Sequence, residues 1–111
     1  MNSGDIILID FPFTIPTQSK VRPAVVITET HDKYNNLVVC AISSVLPPTI
    51  TDREILISKN DPAFSATGLR VDSVVKIDRI ATLRQSDVIA TLGHCEPALW
   101  DELRNKFRDL V

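Results

Sequence analysis

The order of apolar runs and breaks constrains this chain most. Short stretches rich in Ile and Val recur along it, each stopped by prolines or polar residues, and only the last segment changes period. "DIILIDF" (Asp5 to Phe11) comes first, with Ile7, Ile9 and Phe11 on one alternating face and Ile6 and Leu8 on the other. Strand side chains alternate between faces, so apolar residues on both predict a strand covered from both sides. "PFTIPTQSK", with Pro12 and Pro16, reads as a loop. "RPAVVITE" (Arg22 to Glu29) is the second strand, and Pro23, which lacks an N–H, suits its start or an edge. The polar "HDKYNN" predicts a hairpin turn into a third strand, "LVVCAISS" (Leu37 to Ser44).

Pro47-Pro48 ends that run. "REILIS" (Arg53 to Ser58) and "SVVKIDRIATL" (Ser73 to Leu83) read as strands four and five. The fifth alternates Val75, Ile77 and Arg79 against Val74, Lys76, Asp78 and Ile80. Between them "KNDPAFSATGLRVD" is a loop with room for one helical turn. "RQSDVIATLG" fits a helical turn at Ser86 to Val88 followed by a last short strand. Gly4, Gly68 and Gly93 are the only glycines, and each falls at an apparent element boundary.

In "EPALWDELRNKFRDLV" the period becomes helical. Leu99, Leu103, Phe107 and Leu110 share one stripe with Trp100 and Val111 beside them, and charged residues take the other face. Pro97 fits a first turn, and early acidic residues suit the helix dipole. The prediction is a mainly β chain with a C-terminal α-helix packed across a small, curled antiparallel sheet or barrel.

At 111 residues the expectation is one domain over 1–111, and 44% hydrophobic residues suffice for a core. No signal peptide is recognisable, and no apolar run reaches the ~18 residues that span a bilayer. The expected location is cytoplasmic, away from membranes. Cys40 reads as a small buried strand residue and Cys95 precedes the last helix, with no disulfide expected in that compartment. Neither Cys40 and Cys95 nor the His94-Cys95 pair has metal-ligand spacing, so no metal and no cofactor is expected. The net charge of −2 argues against non-specific nucleic-acid binding, which needs a basic surface. Asp5 and Asp10, five apart on one strand, point to opposite faces and read as structural.

Arg22-Pro23 stands out, because a fixed cation opens an otherwise apolar strand. It is either a solvated surface charge or a group facing phosphate. The loop before it carries Thr14, Thr17, Gln18, Ser19 and Lys20, which can bind phosphates or base edges.

"GDIILIDFPFT…SKVRPAVVIT", "VVCAISS" and "GLRVDSVVKIDRIATL", in this order and followed by the amphipathic helix, resemble the MazF/PemK-like toxins of type II toxin–antitoxin systems. The similarity spans nearly the whole chain. It implies an SH3-like antiparallel barrel of the CcdB/MazF type, usually a homodimer. It implies a sequence-preferring endoribonuclease that cuts single-stranded RNA without a metal, and an antitoxin whose extended tail covers the RNA groove. By the same resemblance Arg22 takes the catalytic arginine position. Ser43 stands at a position that is often threonine, with Ser44 as the off-by-one alternative. Pro23 and Arg79 join the RNA-contacting set, Arg79 as a contact to RNA or antitoxin.

Cleavage of this kind uses the substrate's 2′-OH as nucleophile, so the protein's service is to stabilise charge on the phosphorane. A guanidinium suits that role, being planar and always charged, but it is a poor base at pH 7. Neither His31 nor His94 can be placed near Arg22, and the base stays unassigned. Two rival readings remain. One is a catalytically silent or gyrase-targeting module on the same fold, favoured by the acidic charge and by serine at position 43. The other is a small SH3-like interaction domain without a nucleic-acid role.

Overall fold

The computed structural model describes residues 1–10 and 21–111. Phe11 and the loop candidates Thr14, Thr17, Gln18, Ser19 and Lys20 lie outside the described residues. The elements are β1 (Asp5–Asp10), β2 (Val21–Glu29), β3 (Leu37–Ser43), β4 (Glu54–Ile57), α1 (Phe64–Thr67), β5 (Ser73–Leu83), a 3₁₀ turn (Gln85–Asp87), β6 (Val88–His94) and α2 (Pro97–Arg108). All the expected strands are present. The predicted β2–β3 hairpin forms, and Asp32 closes its turn by accepting the Tyr34 and Asn35 N–H groups, each at 3.1 Å.

The strands form one antiparallel six-stranded sheet in the order β4-β5-β3-β2-β1-β6. The sheet is open, with β4 and β6 as its edges, rather than a fully closed barrel. Its bend is built into β5. The register against β3 jumps from Cys40↔Ile80 to Ala41↔Lys76, which leaves Ile77, Asp78 and Arg79 as surplus residues. Such a bulge kinks and twists a strand. It also breaks the predicted alternation, since Asp78, Arg79 and Ile80 are all exposed.

Both faces of the sheet are buried, as the apolar pattern of "DIILIDF" predicts. One cluster joins Ile6, Val25, Cys40, Ile42, Val75 and Ile77 to Leu99 and Leu103 of α2. The opposite face joins Ile7, Ile9, Ala24, Val26, Val39 and Leu83, with Ala81 and Val88 against it. Each fully buried Val, Leu or Ile contributes about 1.5–3 kcal/mol by its removal from water. In α2 the stripe is partly as predicted: Leu99 and Leu103 are buried and Phe107 and Leu110 pack beside them, but Val111 is fully exposed. The first turn carries no carboxylate, while Lys106 and Arg108 in the last turn suit the dipole.

Candidate functional site

Arg22 is the second residue of β2 and is half-buried. It pairs with Ile9 of β1, so a rigid ladder fixes its backbone. The β2–β3 register runs through Ala24↔Ala41. Continued by two residues, it sets Arg22 opposite Ser43, on the same face of neighbouring strands. The Ser43 Oγ accepts the Val45 N–H at 3.1 Å and lies 3.5 Å from the Val45 carbonyl. The second separation is long for an O–H···O bond. The oxygen is therefore fixed by Val45 N–H, while the hydroxyl proton is free for a better acceptor.

Val21, Arg22 and Pro23 together form one wall of a 590 Å³ cleft. Leu8, Ile42 and Leu92 line it as well, and the segment Gly68 to Val71 completes the lining together with Ser73. Of the two serines ending the third strand, Ser44 lines this cleft and is exposed. Pro23 sits opposite Leu8, and both present apolar surface to the cleft. Arg79 is exposed on the β5 bulge and is not among the lining residues.

Sequence reasoning missed Arg70. It stands in the "GLRVD" stretch that was read only as a loop, and it lines the same cleft as Arg22. Neither guanidinium is hydrogen-bonded or ion-paired to a described residue. No carboxylate is among the described lining residues. A chain of net charge −2 thus gathers two uncompensated cations in one cleft. That arrangement favours an anion.

Two glycines hold the Arg70 segment in place. Gly68 ends α1 at φ 74°, where a side chain is strained, and a Cβ there would lie 2.0 Å from the Leu92 carbonyl oxygen. Gly93 lies inside β6, not at an element boundary, and a Cβ on it would lie 2.2 Å from the Ala66 carbonyl oxygen. The α1 backbone therefore rests directly on the β6 backbone. Beyond it the Thr67 hydroxyl accepts the Leu69 N–H at 3.2 Å, Asp72 accepts the Lys59 N–H at 2.7 Å, and Ser73 donates to the Val71 carbonyl at 2.9 Å. Arg70 projects from a segment tied at both ends.

The other titratable groups lie elsewhere. His94 pairs with Asp5 on β1, four residues from Ile9, which is roughly 13 Å along the strand from the level of Arg22. His31 follows the far end of β2. Neither imidazole lines the cleft. Asp5 and Asp10 stand at the two ends of β1, and Asp5 accepts the Asn2 N–H at 2.9 Å. Cys40 and Cys95 are free and buried in the core. Burial pushes both thiols up to about 12, assisted by Cys95 for Cys40 and by Asp5 for Cys95. Among the described residues no three His, Cys, Asp or Glu side chains cluster as metal ligands. No described helix is long and apolar enough to cross a membrane.

Comparison with known proteins agrees with this architecture. A search of curated proteins returned no match. Among solved structures, MazF from Deinococcus radiodurans superposes with a TM-score of 0.70 at 21% identity, covering 99% of this chain and 94% of that one. An endoribonuclease in complex with its cognate antitoxin, from a mycobacterial species, gives 0.69 at 14% identity over 98% and 92%. The Mycobacterium tuberculosis toxin MazF-mt6 gives 0.68 at 18% identity over 95% and 93%. These likenesses establish the shared fold. The family model of PemK-like, MazF-like toxins of type II toxin–antitoxin systems matches residues 2–111, and with that match over nearly its whole length the chain belongs to this toxin family.

Proposed function

We propose that this toxin is an endoribonuclease that cuts single-stranded RNA at preferred sites by attack of the substrate's own 2′-OH, without a metal. The observation that carries the reading is the cleft at the start of β2, where Arg22 lines an apolar wall with the Ser44 hydroxyl and the Arg70 guanidinium and with no carboxylate among the described lining residues. A second support is the endoribonuclease function named for the structurally similar mycobacterial proteins.

Unpaired bases present their Watson–Crick edges, and the apolar wall of Leu8, Pro23 and Ile42 suits a base face better than a duplex backbone. The 2′-OH gives up its proton to solvent as its oxygen bonds to phosphorus, and the bond to the 5′-oxygen then breaks, that oxygen leaving with a proton taken from solvent. Negative charge builds on the non-bridging oxygens between those events. Arg22 meets that charge from a strand and needs no reorganisation at the moment of reaction. Ser43, its oxygen held by the Val45 N–H, donates the second hydrogen bond. Ser44 and Pro23 contact the bound strand. Arg79, on its exposed bulge, serves the same strand or the antitoxin further along the sheet. No described cleft residue is a ready base at neutral pH, so the protein's contribution is chiefly electrostatic.

The same reading has the single 1–111 domain acting as a homodimer in the cytoplasm, with a cognate antitoxin covering the cleft. A structurally similar mycobacterial endoribonuclease forms a complex with its cognate antitoxin, which supports an antitoxin as partner.

The test is cleavage of a long, mostly unstructured RNA with EDTA present. Wild type is run beside Arg22→Ala, Ser43→Ala and Ser44→Ala. Wild type should cut at a few recurring sites, and Arg22→Ala should lose about 10²–10³ in rate, the cost of one charge-stabilising donor. Ser43→Ala should lose more than Ser44→Ala. Equal cutting by wild type and Arg22→Ala would place the chemistry elsewhere. RNA binding without any cutting would favour a silent binding module.

A further inference from the structure

We infer that Arg70 is a second RNA-backbone contact of this cleft, holding a phosphate neighbouring the one at Arg22; the inference rests on the RNA reading above. Three observations carry it. Arg70 lines the same cleft as Arg22. Its guanidinium has no partner among the described residues, so binding an anion breaks no existing ion pair. Its backbone is set by contacts that would be needless for a solvated loop. Gly68 and Gly93 seat α1 on β6, and the hydrogen bonds at Thr67, Asp72 and Ser73 tie down both ends of the segment.

The neighbours of Arg70 strengthen the case. Leu69 and Val71 flank it, and Leu92 stands across the seat, so the local surface is apolar apart from the guanidinium. The Asp72 carboxylate two residues on accepts the Lys59 N–H and makes no ion pair with Arg70, so the guanidinium can bind a phosphate in bidentate fashion. Two cations lining one cleft match a single strand bound along it, whose phosphates follow one another. Arg70 makes its contact equally in the ground state and the transition state, so it should govern binding and leave the bond-breaking step alone.

The experiment measures binding of an all-deoxy single-stranded oligonucleotide, which lacks the attacking hydroxyl, across a salt series. Wild type is compared with Arg70→Gln and Arg70→Lys. Single-turnover cleavage of the matching RNA and thermal unfolding are measured in parallel. Arg70→Gln should weaken binding about tenfold and reduce the slope of log affinity against log salt by about 0.7, the value of one phosphate contact on a single strand. The single-turnover rate at saturating RNA should stay within about threefold of wild type. Arg70→Lys should restore the slope, because the charge is kept. The unfolding midpoint should not move, because the side chain is exposed.

An unchanged slope in Arg70→Gln, with wild type binding normally, would overturn the inference and leave the RNA reading standing. A loss of affinity with an unchanged slope would overturn it as well, by assigning the effect to packing and not charge. If wild type neither binds nor cuts, the RNA reading and this inference fall together.

Discussion

At the scale of single residues, the charged groups divide into those that hold the fold and those left open. Lys76 and Glu54 face each other across β5 and β4 and form an ion pair at 2.9 Å. The Lys76 ammonium and the Thr51 N–H both donate to the Glu54 carboxylate and hold it down to about 2 from its ordinary 4.5. A carboxyl whose folded value lies below its unfolded one stabilises the fold when ionised. Its contribution is complete above pH 4.5 and lost progressively as pH falls toward 2. Wild type should therefore lose unfolding midpoint more steeply than Glu54→Gln across that window, while the two curves run parallel at neutral pH. Parallel curves throughout would show that the pair adds nothing to acid stability. Arg22 and Arg70 are the contrast. With no carboxylate among the described lining residues and no ion pair to a described residue, they are available to a ligand.

At the scale of elements, the contact between α1 and β6 decides where Arg70 stands. Gly93→Ala places a methyl group 2.2 Å from the Ala66 carbonyl oxygen and 2.6 Å from the Thr67 carbonyl carbon. Both are backbone atoms, so the helix must lift away as a body. The expected cost is about 1–3 kcal/mol, as for other overpacked sites. Denaturant unfolding should show it, and RNA affinity should fall with it because the segment carrying Arg70 moves. An alanine variant of full stability and affinity would mean that α1 slides without consequence. The alternation of Ile and Val, the proline breaks and the helical stripe made the strands and α2 legible in the sequence. Arg22-Pro23 was legible for the same reason, since a proline and a fixed charge mark a strand's start. The α1–β6 contact was not legible, because Gly93 reads like any boundary glycine until another backbone is seen against it. Arg70 was hidden with it: nothing local separates it from a solvated loop cation, and only the long-range seat on β6 brings it into the same cleft as Arg22. The β5 bulge was hidden too, because Asp78 and Arg79 continue an acceptable alternation in sequence while the ladder slips past them.

At the scale of the whole molecule, both faces of one sheet are covered by different means, and the thiols report on how cooperative that cover is. Cys40 lies in the middle of β3 and Cys95 between β6 and α2, and both belong to the core cluster that α2 closes. Burial pushes each thiol up to about 12, so at pH 8 the thiolate is about one part in ten thousand. Little reagent can reach it in any case. Modification must then proceed through opening of the structure. Because α2 reaches the sheet through Leu99 and Leu103 alongside both cysteines, displacement of the helix should expose Cys95 first. Cys40, at 0% exposure under the centre of the sheet, should wait for the strands to part. A thiol reagent at pH 8 should therefore label native protein far more slowly than unfolded protein, with Cys95 ahead of Cys40 and the two rates converging as denaturant approaches the midpoint. Convergence would mean that global unfolding has become the route for both. Equal rates in the absence of denaturant would mean that helix and sheet open as one unit, and rapid labelling of native Cys40 would show that the central strands are not packed as described. The site stands on the same strands: Arg22 is the second residue of β2, and Ser43 ends β3 three residues beyond Cys40. The slow labelling of Cys40 is thus also a measure of how rigidly the proposed charge-stabilising pair is held.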